Sequence, residues 1–139
     1  MRIHFSMLAL PIALVLPTAG WAQSEPTQSA QKAAAAWLAL TDSGQYAASW
    51  DSAAEAFKSA VAKATWSGAL ISARSPFGEV KSRKLKSAKF THNLPGAPDG
   101  EYVVIQYDTQ FENKASAVET ITPMHEKDGS WRVCGYYVK

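Results

Sequence analysis

The sequence predicts an α+β domain: helices packed on one face of a curved four-stranded antiparallel sheet. Three observations lead there. The first half carries alanine-rich stretches whose apolar residues recur at helical spacing. The second half switches to period-two alternation in residues that favour strands. Helical segments all precede the strand segments, which points to segregated layers rather than to alternating β–α units.

The N-terminus comes first. Arg2 supplies a positive start, Phe5–Leu16 is apolar but for Ser6 and Pro11, and Gly20-Trp21-Ala22 offers small residues at the −3 and −1 positions of a leader-peptidase site. Residues 1–22 therefore read as a signal peptide cut near Ala22/Gln23, and the apolar run is too short for a membrane anchor. The expected location is the periplasm or the outside of the cell, with no membrane-crossing segment in the mature chain. Cutting there leaves 117 of the 139 residues, one domain with enough length for a core of its own. Without Arg2, 13 basic side chains face 12 acidic ones, so no global field draws the chain to nucleic acid.

Residues 23–29 read as a mobile polar lead-in, and 30–139 as the single domain. Ala30, Ala33, Ala34, Trp37, Leu38 and Thr41 form one helical stripe, with Ser29 as its N-cap. Asp42-Ser-Gly44 ends it, and Asp42 with Gln45 resembles a capping box for a short helix that presents Tyr46 and Trp50. Ser52-Ala-Ala-Glu55 is a second capping-box pattern. Phe57, Ala60, Val61 and Ala64 continue helically, with a break expected at Thr65-Trp66, and Trp66 and Leu70 extend the stripe to Arg74. Ser75-Pro76-Phe77-Gly78 stops it.

The strands follow. Glu79–Thr91 holds Lys81, Arg83, Lys84, Lys86 and Lys89, and its apolar residues keep one parity only if a bulge lies between Leu85 and Ala88. Asn93–Gly100 is a turn-rich loop. Tyr102–Phe111 is the clearest strand: Val103, Ile105, Tyr107, Thr109 and Phe111 on one side, Gln106, Asp108 and Gln110 on the other. The first set is expected to face Trp37, Trp50 and Phe57. In Ser116–Glu126, Pro123 calls for an edge position or a bulge. Lys127-Asp-Gly129 makes a hairpin, and Ser130–Lys139 is apolar on both faces. This element order is that of a cystatin-like or NTF2-like cone.

Several segments together resemble the DUF4019 family of small exported bacterial domains. They are Trp37-Leu-x-Leu-x-Asp42 with Gly44, Tyr46 and Trp50; Phe57-Lys58; Trp66; and Arg74-x-Pro-x-Gly78 with Arg83. Leu94-Pro-Gly-Ala-Pro-Asp-Gly-x-Tyr-Val-Val-Ile105, Phe111 with Asn113-Lys114, Val118-Glu119 and Asp128-Gly-x-Trp-Arg-Val-x-Gly-Tyr136 complete the likeness. The resemblance implies an NTF2-like or cystatin-like fold and implies no chemistry.

Candidate chemistry is sparse. No Gly-x-Ser-x-Gly, metal spacing or phosphate-cradling glycine loop occurs, so no catalytic residue, metal or cofactor is assigned. His92 and His125 have no carboxylate set beside them by sequence logic, and Asp108 points away from Tyr107. Cys134 lacks a partner and reads as a small apolar strand residue. The basic run reads as a solvated or edge-protecting strand. The candidate ligand-binding set is Trp66, Arg74, Arg83, Tyr107 and Glu119: an arginine awaiting a carboxylate ligand, or else a structural Arg83–Glu119 bridge. The expectation is an exported, non-enzymatic module for a small ligand or an envelope protein. The alternatives are a hydrolase or isomerase with a cone pocket, and a homodimer built on the open sheet face.

Overall fold

The computed structural model describes residues 24–139; the expected leader and its cutting point lie outside them. Four helices lead the fold: α1 Glu25–Asp42, α2 Tyr46–Asp51, α3 Glu55–Ala60 and α4 Lys63–Arg74, closed by a 3-10 turn at Ser75–Phe77. Strands β1 Val80–Thr91, β2 Tyr102–Phe111, β3 Lys114–His125 and β4 Trp131–Val138 then form one antiparallel sheet in the order β1-β2-β3-β4. The α+β expectation holds: α1 lies across all four strands, and α2 and α4 pack on each other beside it.

Helix α1 starts at Glu25, not Ala30, so residues 25–29 of the segment expected to be mobile are helical. Pro26 sits where its fixed φ suits a helix start, and Thr27 is buried with its hydroxyl 2.8 Å from Ser24 Oγ. Neither capping box forms. Asp42 is drawn to two arginines instead of capping α2. At Ser52–Glu55, Ala53 and Ala54 are fully buried, the Ala54 amide donates to the Val133 carbonyl of β4, and Glu126 accepts from the Glu55 amide at 3.0 Å. A side chain from another element does the capping. The helical break falls at extended Val61, not at Thr65-Trp66, and the Trp50 indole donates 2.8 Å to the Val61 carbonyl.

The bulge expected between Leu85 and Ala88 is present, with a second between Val80 and Ser82. Pro123 lies at a register shift within interior strand β3, so the bulge and not the edge position accommodates it. Gly78 needs its positive φ of 74°, and a Cβ there would meet Glu112 Oε2 at 2.9 Å.

The core joins Ala30, Ala34, Trp37 and Leu38 of α1 to Val103, Ile105, Ile121 and Val133 of the sheet, with Trp66, Tyr107, Trp131 and Tyr136 packed against them. Trp37 faces β2 as expected. Trp50 and Phe57 do not join this cluster. Phe57 meets Trp66 edge-on at 4.8 Å, and Trp50 lies under Lys58 and Lys63. Trp66 takes their place, 6.1 Å from Trp37. The two sheet edges are handled differently: segment 53–55 covers β4, whereas β1 is bulged and charged.

Candidate functional site

Three of the five candidate residues meet directly. Arg74 ends α4, Arg83 projects from β1 and Glu119 from β3. Arg83 Nε reaches Glu119 Oε1 at 2.7 Å and Nη2 reaches Oε2 at 3.3 Å. Its other face grips Asp42, with Nη1 2.8 Å from Oδ2 and Nη2 3.0 Å from Oδ1. Arg74 Nη2 donates to Asp42 Oδ1 at 2.9 Å, and Nη1 to Thr41 Oγ1 at 3.2 Å and Tyr136 Oη at 3.4 Å. Thr109 donates to Glu119 Oε1 at 2.5 Å, and the Tyr136 hydroxyl donates to Oε2. Each strand contributes one side chain, and α1 and α4 supply the rest.

The local folding explains these positions. In β3, Ala117, Glu119, Ile121 and Pro123 share the helix-facing parity, so the pleat places a carboxylate in an otherwise apolar row. Glu119 is 0% exposed and Arg74 4%. Two cations and two anions balance the cluster. A carboxylate offers about four lone-pair sites, and four donors fill those of Glu119: Arg83 twice, Thr109 and Tyr136. No site is left for a substrate proton. Arg74 Nε is the one buried side-chain polar atom without a partner among the described residues, and its guanidinium stacks 4.8 Å above the Phe111 ring.

Electrostatics follow the contacts. Burial acts to raise the Asp42 pKa, but hydrogen bonds and charge from Arg83 and Arg74 outweigh it and hold the carboxyl below its ordinary 3.8. Burial and the adjacent Glu119 charge push the Tyr136 phenol upward, so it keeps its proton. Desolvation opposes the Arg83 charge, yet its two carboxylate partners raise it further. Burial raises the Cys134 thiol to about 11, and the thiol stays protonated and unreactive near neutrality.

The remaining candidates join indirectly. Trp66 donates its indole proton to Ser49 Oγ at 3.0 Å and touches Trp37, whose ring lies 5.2 Å from Tyr136. Tyr107 sits opposite Glu119 in the β2–β3 register, and burial raises its phenol pKa while the Arg83 charge acts to lower it. Asp108 lies exposed on the far face, as its parity requires. Asp42, Thr41, Thr109 and Tyr136 escaped the sequence reading. Asp42 carried a capping signal and Tyr136 read as apolar strand, while their partners lie 17 to 62 residues away.

One sequence inference needs correction. A histidine does sit beside a carboxylate: His125 Nδ1 is 2.7 Å from Glu101 Oε2. Nε2 is 3.1 Å from the Gly129 carbonyl, so neither ring nitrogen is aimed at open space. The ring stacks on Trp131 at 5.0 Å. That stack borders an open trough along α1. One part, about 460 Å³, is lined by Ala33, Ala36, Trp37, Trp131 and Arg132 among others. The next, about 650 Å³, shares Ala33, Ala36 and Trp131 and continues past Lys32 and Glu101. Among the described residues no group of three or more His, Cys, Asp or Glu could hold a metal ion, and no helix is long and apolar enough to cross a membrane.

Fold and site together define a small α+β domain with a buried ion cluster at the C-terminal end of its longest helix and an open trough along that helix's flank. The chain belongs to the DUF4019 family, a family of proteins of unknown function, whose model matches residues 33–136. No curated protein matches it.

Proposed function

We propose that this domain is an exported, non-enzymatic module that binds an extended peptide segment of an envelope protein in the trough between α1 and β4. The observation behind this reading is the continuity of the two clefts across Ala33, Ala36 and Trp131. Alanines on the helix side keep the floor low, and Trp131 offers a large anchoring surface midway, the residue type that most often dominates binding interfaces. A small-molecule site encloses most of its ligand. This trough is long and open, and its rim mixes Lys32 and Arg132 with Glu25, Asp51 and Glu101, which suits main chain with side chains of both signs.

The ion cluster is read as the structural bridge, not the ligand site. Arg83 is already paired with two carboxylates and Glu119 is saturated, so a carboxylate ligand would have to displace an internal partner. The hydrolase or isomerase alternative needs a base aimed at a substrate, but Glu119 is saturated and both His125 ring nitrogens face protein oxygens. Export rests on Arg2, the Phe5–Leu16 run and Gly20-Trp21-Ala22, and mass spectrometry of the processed N-terminus checks it.

Peptide-display selection on the isolated domain, followed by NMR mapping, tests the site. Selected peptides are expected to shift the Ala33 and Ala36 amides and the Trp131 indole, and to lose binding to Ala36→Leu. Peptides that map to the open sheet face, or a selection that never rises above background, would defeat the proposal.

A further inference from the structure

The opposite edge of the sheet carries a second, independent feature. Strand β1 has two register shifts, and the residues skipped at them are Lys81 and Lys86. A bulge residue has no cross-strand neighbour, and both of these lysines are exposed on the edge strand. Lys84 and Lys89 pair in register with Asp108 and Val104 on the open face. All four lysines are exposed, and none has an ion-pair partner among the described residues, although Asp108 stands across from Lys84. At the rise of a strand, Lys81 and Lys89 are roughly 25 Å apart, a line of four cations on a chain whose net charge is near zero.

Charge alone would read as edge protection. Apolar residues on the same strand argue for more. Leu85 is 43% exposed and Phe90 37%, two of the four large hydrophobic residues exposed among those described. Their register partners, Tyr107 and Val103, place both on the helix-covered face of the sheet, at its outermost strand. Phe90 is steadied by edge-on contact with His92 at 5.0 Å. Edge protection needs no exposed leucine or phenylalanine. Lysines flanking exposed apolar side chains match the interface of an anionic bilayer, where apolar groups enter at headgroup depth and ammonium groups meet phosphate. Nucleic acid fits less well, because no row of aromatic rings lies between the lysines for bases to stack on.

We propose that the β1 edge docks the domain peripherally on an anionic lipid surface through Lys81, Lys84, Lys86 and Lys89, with Leu85 and Phe90 inserted. This stands apart from the peptide-binding reading and survives its failure. The surface potential of anionic lipid makes each nearby lysine worth roughly fivefold in partitioning. Docking is therefore reversible, and it weakens steeply once salt shortens the screening length.

The test is co-sedimentation of the chain from Gln23 onward, without the apolar leader, with vesicles of about one-quarter phosphatidylglycerol in phosphatidylcholine. The expected result is binding at about 0.05 M salt, none at about 0.5 M, and none to pure phosphatidylcholine. The variant K81Q/K84Q/K86Q/K89Q, altered only at exposed positions and checked by circular dichroism, is expected to lose partitioning by roughly two orders of magnitude or more. Leu85→Ser with Phe90→Ser is expected to weaken it while keeping the salt dependence. No sedimentation of the unaltered chain with anionic vesicles would overturn the proposal, as would full binding by the quadruple glutamine variant. So would displacement by duplex DNA at matched charge together with full vesicle binding by the serine variant, which would mark a general polyanion contact.

Discussion

Helix α1 ends at Asp42 between two arginines, while its flank from Glu25 to Leu40 borders an open trough, and the closed end and the open flank treat polar groups in opposite ways. At the Asp42 end every strand sends a side chain inward, and the carboxylates there are filled by surrounding donors, with Arg74 Nε alone left over. Along the trough the middle of the helix drops to alanine at Ala33 and Ala36, and Trp131 is left half-covered. The difference shows why a dense polar cluster is a poor guide to a binding site. Saturated acceptors have nothing to offer a ligand, and the chemically plainer flank keeps its surface available.

Breaking the closed end has the largest expected effect. Glu119→Ala leaves Arg83 and Arg74 without their buried anion and is expected to destabilise by about 3–5 kcal/mol in urea unfolding. A loss below about 1 kcal/mol would mean that the cluster is peripheral to the fold. Next comes a double mutant. Arg83→Met with Glu119→Leu replaces a bridged pair by apolar groups and is expected to cost less than Glu119→Ala alone, because no buried charge is orphaned by its partner's removal.

Acid probes the same end more gently. Asp42 has its folded pKa held below 3.8, so the unfolded chain takes up its proton first as pH falls. Its contribution to stability is complete above the unfolded value and is lost as pH drops through the folded one. Asp42→Asn is therefore expected to flatten the decline in melting temperature below about pH 4. An unchanged slope would assign acid sensitivity to other carboxylates.

Changes along the open trough are expected to separate binding from stability. Trp131→Ala removes a half-buried ring and is expected to cost about 1–2 kcal/mol while abolishing peptide binding. Ala36→Leu, at an exposed helix position, is expected to shift stability by no more than about 0.5 kcal/mol and still block the trough. If Ala36→Leu unfolds the domain, the closed end and the open flank are not as distinct as their geometry suggests.

Local patterns made much of the fold legible. Period-two alternation located β2 and its buried face, and broken parity between Leu85 and Ala88 revealed the bulge. Local patterns also misled where a distant residue outcompeted a near one. Asp42 and Ser52 both looked like caps. Asp42 instead serves arginines 32 and 41 residues onward, and Glu126, 71 residues away, takes the Glu55 amide. Arg74, Arg83 and Glu119 could be named as ionisable residues in apolar settings. Tyr136 and Thr109 could not, because a phenol or hydroxyl at a core-facing strand position looks the same whether or not it meets a carboxylate. The trough left no mark in the sequence, since a run of alanines reads first as helix propensity.

The saturation of Glu119 bears on time as well as on energy. Its partners come from β1, β2 and β4, and the cluster they share reaches back to α1 and α4, so it can close only when the last strand has docked. Interactions formed that late contribute little to the speed of folding and much to the slowness of unfolding. Glu119→Ala should accordingly raise the unfolding rate and leave the refolding rate nearly unchanged, which stopped-flow measurement of both limbs would show. A domain held this way has a long native lifetime in any compartment where unfolded chains are cut by proteases before they can refold.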